Sequence, residues 1–314
     1  MIKAWPSHLA AALCSVFVAS TAAAVESRCP SHYAGAQPPA ILDAAVAGGA
    51  TELCSDGYGI LYSTDAKSPI FAAEHLSPER VLRAYDHQGR SNDFRPDERV
   101  TRRARASLED FRGSGFDRGH LAPSADMDSP QADSESFLLT NIVPQDPHLN
   151  RNLWAAIEKG VRAMAKHRQI YVVTGVIWEP HNARTVGPGR VRVPAYLYKA
   201  VYDPSVRAGA AYLVANAPHQ AHRELSLAEL RAVAGVDPFR GAATWLSCGC
   251  HAPDTDAPLV DHCLTPPLVC SPSARLVGNW RTFVRSPQGR PHILAILKWP
   301  GPAASSGRPA PPRH

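Results

Sequence analysis

The chain has 314 residues, 45% of them hydrophobic and 19% charged, with a formal net charge of +5. That length can bury a sizeable core in one large domain or two small ones. The modest basic excess suits a polyanionic partner and an ordinary protein surface alike, so charge alone selects no function. Past residue 24 no stretch approaches the roughly 18 apolar residues of a membrane helix.

The first residues, MIKAWPSHLAAALCSVFVASTAAAVES, place one lysine before a mostly apolar run and end it on small residues. They predict an export signal (1–24) cleaved near Ala24, and hence a secreted or periplasmic chain with no membrane association. Leu13, directly before Cys14, is too bulky for a typical lipoprotein cleavage site. Cleavage removes Cys14 and leaves Cys29, Cys54, Cys248, Cys250, Cys263 and Cys270. In an oxidising compartment this even number predicts disulfides, with Cys29–Cys54 as the local pairing. A zinc site within CGCHAPDTDAPLVDHC, using Cys248, Cys250, His251, His262 and Cys263, is the alternative, although C-x-C-H is not a usual zinc spacing.

YGILYST (58–64) and PIFAAEHL (69–76) predict a strand pair joined by a polar turn. The polar stretch 77–115, with Arg99, Arg102, Arg103 and Arg105 close together, reads as a solvated loop in preference to a phosphate-contacting patch. FDRGHLAPSADM (116–127) then brings together Asp117, Arg118, Gly119 and His120. Such a run is either a polar turn or chemistry. In the second case His120 is a base that is neutral near pH 7, Arg118 faces a phosphate, and Gly119 permits close approach.

Residues 146–168 predict a helix, with Asp146 as N-cap, Pro147 in the first turn, and Leu153, Ile157, Val161 and Met164 at helical spacing. Asn150, Trp154, Glu158 and Arg162 follow one another at four-residue steps along a slowly drifting stripe. Asn150 can offer an amide oxygen to a hard cation and Glu158 can hold that cation's water shell. Equally, Asn150 can cap the helix with Leu149 and Trp154 as a staple, and Glu158–Arg162 can be a plain i,i+4 ion pair. Segments 169–178, 194–203 and 210–218 predict consecutive antiparallel strands, and 226–235 a helix capped by Ser226, Glu229 and Gly235. The resulting fold class is α+β, a central antiparallel sheet flanked by helices. A further strand is expected at 291–299.

GSGFDRGHLAPSADM followed by FLLTNIVPQDPHLNRNLWAAIEKGVR resembles the DNA/RNA non-specific endonucleases, a family with a ββα-metal active site. Weaker similarity runs from residue 58 to about 239. The resemblance implies a nuclease domain over 25–245 and finds no counterpart for a Cys/His-containing extension over 246–300, expected to pack on the domain; the composition of the tail over 301–314 predicts disorder. The resemblance also implies that His120 activates water, that Asn150 is the one direct protein ligand of Mg²⁺, with Mn²⁺ as a substitute, and that Glu158 holds metal-bound waters. Arg118 and Arg162 would contact the phosphate or its transition state, Asn141 would be a further active-site residue, and Asp117 would support them. Arg90 would bind phosphate upstream, with Arg95 as its competitor. DNA and RNA would both be substrates, cut to leave 5′-phosphate ends. A catalytically silent, secreted nucleic-acid-binding protein is the alternative. The sequence leaves a homodimer and an inhibitor protein open.

Overall fold

The computed structural model describes residues 27–240, apart from residue 88 and residues 180–182. The expected leader (1–24), the extension (246–300) with its cysteines and histidines, the strand at 291–299 and the tail (301–314) lie outside the described residues. The strands are β1 (Ala40–Ile41), β2 (Ala50–Cys54), β3 (Gly59–Ser63), β4 (Ser68–Leu76), β5 (Asp117–His120) and β6 (Ile142–Gln145). They continue as β7 (Ile170–Ile177), β8 (Thr185–Val186), β9 (Val191–Arg192), β10 (Tyr196–Asp203), β11 (Ala208–Ala215), β12 (Arg223–Ser226) and β13 (Val236–Asp237). The helices are α1 (Pro78–His87), α2 (Leu108–Phe111), α3 (Pro130–Ser136), α4 (Pro147–Leu149), α5 (Ala155–Ala165) and α6 (Leu227–Ala234).

Seven strands form one antiparallel sheet in the order β12-β11-β10-β7-β4-β3-β2. Alternation along β10 divides its residues between two cores. Leu197 and Val201 join Val172, Val176 and Leu76 beneath Trp154, Ile157, Val161 and Met164 of the helix predicted at 146–168. Tyr198, Ala200 and Tyr202 face the other way, onto Leu227, Leu230 and Ala234 of α6 and onto Tyr33 of the N-terminal segment. Burying each such aliphatic side chain contributes about 1.5–3 kcal/mol, so the two layers clamp the sheet between them. The expected α+β class and the central antiparallel sheet are the observed ones.

Local capping explains why the helices fall where they do. Asp146 accepts a hydrogen bond from the Leu149 amide at 3.0 Å. Ser226 and Glu229 form the reciprocal box of α6, and Gly235 ends that helix with φ 64°. The loop expected over 77–115 is instead partly helical. Ser77 Oγ accepts from the Arg80 amide at 3.2 Å and Pro78 opens the first turn of α1. The apolar period is faint there because Leu82 and Tyr85 point outward, 62% and 46% exposed. The arginine run in this region divides as well. Arg99 binds Asp97 and Arg105 binds Glu98, while Arg102 and Arg103 stay exposed.

Cys29 and Cys54 are joined, with Cα atoms 5.4 Å apart, and tie the N-terminal segment to the sheet edge at β2. In the chain-entropy account a cross-link enclosing a loop of this size is worth about 3 kcal/mol. Cys29→Ser is therefore expected to lower the stability read from urea unfolding by about that amount. An unchanged midpoint would show that the link constrains nothing.

Candidate active site

The Asp117–His120 run is strand β5, not a turn. It pairs with β6 so that Asp117 faces Gln145 and His120 faces Ile142, and β6 leads through Asp146 into the long helix. Two strands and a helix thus hold every residue of the motif on one rigid frame. Gly119 is needed for that pairing, because a Cβ there would lie 2.1 Å from Gln145 Oε1 and 2.6 Å from its Cβ. The close approach that glycine permits is made by Gln145.

His120 is buried at 8% exposure, between the edges of Phe94 (centroids 5.4 Å apart) and Phe137 (4.9 Å). Its Nε2 has no hydrogen-bond partner among the described residues. Burial, and then the Arg90 and Arg118 charges, push its pKa down to about 3. The imidazole is therefore neutral at physiological pH. Arg118 packs its guanidinium 4.1 Å from the Phe94 centroid and Arg90 lies 4.9 Å from the Phe137 centroid. The aromatic pair thus carries two exposed cations beside the histidine. Arg95 turns away, bound to Ser134 and Asp93, which separates the two competing arginines by position.

Asn141 is fully buried and fully engaged. Its Oδ1 accepts from the Ala122 amide at 2.9 Å, and its Nδ2 donates to the carbonyls of Ala122 (2.8 Å) and Ser136 (2.9 Å). Placed among the catalytic candidates by motif, it fixes the backbone just beyond His120, with both Nδ2 hydrogens in use.

Asn150 Nδ2 donates to Asp117 Oδ2 at 2.9 Å, and Arg151 clamps the same carboxylate at 2.6–2.8 Å. Burial opposes ionisation of Asp117, but these hydrogen bonds prevail and hold its carboxyl below the usual range. A carboxylate only accepts, so the amide nitrogen of Asn150 must face it and Oδ1 must turn the other way. The expected cap role falls to Asp146 instead.

Residues Asn150–Trp154 form a π turn between α4 and α5. Eight residues along an α-helix leave two side chains ~80° apart, at ~100° per residue. A π turn spends about one extra residue on its loop and takes back nearly that rotation, which brings Asn150 and Glu158 onto one line. Trp154, between them, is core.

Glu158 is partly buried, and desolvation pushes its carboxyl up to about 7 against the pull of Lys199. Arg162 does not make the simple i,i+4 pair. Its Nε hydrogen-bonds Asp126 Oδ1, and both side chains are nearly inaccessible. A phosphate contact by Arg162 therefore has to come from the nitrogens Asp126 leaves free.

Beneath these residues lie Glu74 and Lys199, both 1% exposed, with Lys199 bonded to Thr174. The motif reading missed both, because they sit on strands far apart in the chain. Burial, then the Asp126 carboxylate, raises Glu74 to about 8, while Lys199 and Arg80 pull it down. Its folded pKa exceeds the unfolded value of roughly 4.3, so between those values the folded state holds a proton the unfolded state has released. Stability should fall as pH rises through that window. Glu74→Gln, which cannot ionise, should be more favourable relative to wild type at pH 9 than at pH 5. Equal differences at the two pH values in urea unfolding would remove Glu74 as the source.

Among the described residues no three or more His, Cys, Asp or Glu side chains group as a metal cage. One amide oxygen and one carboxylate on a shared helix line suit instead a hard cation that keeps most of its water. The donor set fits Mg²⁺-type chemistry better than zinc.

An antiparallel sheet carrying a strand–strand–helix unit, with a caged histidine on the strand and an oriented asparagine on the helix, defines a ββα-metal nuclease fold. The chain belongs to the DNA/RNA non-specific endonuclease family, whose family model matches residues 40–244. Mitochondrial endonuclease G of Homo sapiens is 36% identical over 157 residues, 46% of this chain and 52% of that protein. The Bos taurus protein of the same name is 34% identical over 191 residues (54% and 63%), and mitochondrial nuclease EXOG of Danio rerio 34% over 200 residues (56% and 57%). The chain thus spans between half and two thirds of the length of these relatives. A chain in the crystal structure of the EndoG/EndoGI complex, which concerns the mechanism of EndoG inhibition, superposes with a TM-score of 0.54 at 25% identity. The match covers 60% of this chain and 86% of that one.

Proposed function

We propose that this protein is an exported, Mg²⁺-dependent endonuclease that hydrolyses DNA and RNA with little sequence or sugar preference and leaves 5′-phosphate ends. The observation that carries this reading is His120, a buried neutral imidazole whose Nε2 has no partner among the described residues and lies beside two exposed arginines. In the proposed reaction Nε2 takes a proton from water as that water's oxygen bonds to phosphorus, and the bond to the 3′ oxygen breaks, this oxygen keeping the electron pair and taking a proton from a second water to leave as a hydroxyl. Arg118 and Arg90 neutralise charge on the phosphate, and Asp117 keeps Asn150 Oδ1 turned outward. Asn150 would hold a divalent cation, with Glu158 on its water shell, and Mg²⁺ or Mn²⁺ there would supply charge neutralisation at the phosphate and the departing oxygen. Contacts to phosphate alone read no sequence, which supports both nucleic acids as substrates.

Export is supported by the N-terminal leader (1–24) and by the Cys29–Cys54 link, the kind of bond that persists in oxidising compartments. On this reading residues 25–245 form the nuclease domain and 246–300 a Cys/His-containing extension. No helix among the described residues is long and apolar enough to cross a membrane. Digestion of plasmid and of single-stranded RNA across a Mg²⁺ titration tests the proposal. Both should be degraded, activity should vanish in excess chelator, and Mn²⁺ should restore it. Full activity in chelator would overturn the metal role, and tight binding without cleavage under either ion would establish the silent binding protein.

A further inference from the structure

Beside the catalytic frame lies an open cleft of about 510 Å³. One side is the site itself, through Asp117, Arg118 and Asn150. The other side is apolar and aromatic, formed by Phe94, Leu108, Phe111 and Phe116, with Arg112 beside them. The mechanism above uses none of the apolar residues in this wall except Phe94.

The wall is built rather than incidental. Helix α2, which presents Leu108 and Phe111, is capped by the reciprocal Ser107–Asp110 box, and Asp110 also accepts a hydrogen bond from the Gly189 amide. The turn that delivers Phe116 passes through Gly113 and Gly115 at φ 63° and 79°, a left-handed backbone that glycine adopts without strain. Arg184 lies 4.6 Å from the Phe116 centroid, which adds positive charge. Leu108, 40% exposed, leaves apolar surface open to water within a cleft that also holds Arg112 and Arg118. A ligand that matches has a flat apolar body and a negative charge attached to it.

We propose that this cleft seats one unpaired nucleobase of the strand whose phosphate lies at Arg118. The proposal rests on the nuclease reading above and deepens it by naming how the substrate is held. Stacking on aromatic side chains uses the π-face that every base has, so the contact is strong without reading sequence. A base within a duplex has its faces covered by neighbours, so the cleft favours single-stranded or locally opened nucleic acid.

The test compares a short oligodeoxythymidylate with the same sugar-phosphate backbone carrying abasic residues throughout. Binding to the full protein is measured by fluorescence anisotropy in excess chelator, so that no cleavage intervenes. The base-bearing strand should bind about tenfold more tightly, the effect of one stacked base. That ratio should fall towards one in Phe116→Leu, which keeps an apolar side chain but removes the π-face. It should fall by less in Leu108→Ser, a change at an exposed position that leaves the core untouched. Equal affinity for both strands in the wild type, or an unchanged ratio in both variants, would overturn the proposal. Hydrolysis with Mg²⁺ is measured in parallel. If the strand is cut normally while the ratio is one, the base site alone fails; if the ratio holds and nothing is cut, the nuclease reading fails and the base site stands.

Discussion

His120→Ala is expected to lower phosphodiester hydrolysis by about 10²–10⁴-fold, the usual contribution of a general base. Two features make the loss specific. The imidazole is the neutral group at the centre of the frame, and its Nε2 is committed to nothing else among the described residues. An imidazole with a pKa near 3 is a poor base as it stands. An incoming phosphodiester, however, brings a negative charge against Arg90 and Arg118, and so offsets the part of the depression that these two cations add to that of burial. Removing the ring also opens a small void between Phe94 and Phe137. Thermal unfolding and oligonucleotide affinity in chelator therefore need to be read beside the rate. A large loss of rate with near-normal binding supports the role, and a variant that cuts at wild-type speed would remove His120 from the chemistry.

Asn150→Ala is expected to raise the Mg²⁺ concentration for half-maximal activity, or lower the rate at saturation, by at least about 10–100-fold. Losses of that size follow from disturbing groups that merely orient a metal ligand, and a direct ligand should matter no less. The fold should survive, because the helix is capped by Asp146 through the Leu149 amide. A Mg²⁺ titration of activity, paired with far-ultraviolet circular dichroism, separates the outcomes. An unaltered metal requirement would exclude Asn150 as a ligand, and a lost helix would mean that Asn150 holds the turn together. Asp117→Asn should weaken metal use in the same direction, since it removes the carboxylate that turns the amide.

Much of this was legible in the sequence where the signal is local. The β3–β4 pair follows from two apolar runs around a polar turn. The start of the long helix follows from Asp146 before Pro147, and α6 from Ser226, Glu229 and Gly235. The motif residues His120, Asn150, Glu158 and Arg162 were legible too, because each falls within one of two short segments. What stayed hidden depends on contacts between distant residues. Arg162 meets Asp126, 36 residues away, where helical spacing pointed to Glu158. Glu74 and Lys199 come together only once β4 and β10 flank β7. The aromatic edges around His120 come from Phe94 and Phe137, neither of which belongs to a periodic run. Helix α1 was missed because its outward leucine and tyrosine blur the apolar stripe, although Ser77-Pro78 marked its start.

The π turn at Asn150–Trp154 has one more consequence, for how this protein can vary over time. It behaves as a slack turn, in which one extra residue is wound into the wider loop so that asparagine and glutamate point the same way in spite of it. Exposed positions such as Ala155, Ala156 and Lys159 can drift in composition at little cost. A single deletion inside the turn would leave asparagine and glutamate seven residues apart in a regular helix, within ~20° of one another at ~100° per residue. Lineages descending from this sequence are therefore free to exchange residues here and to lose the turn's extra one, whereas an added residue would swing the glutamate ~100° away from the asparagine.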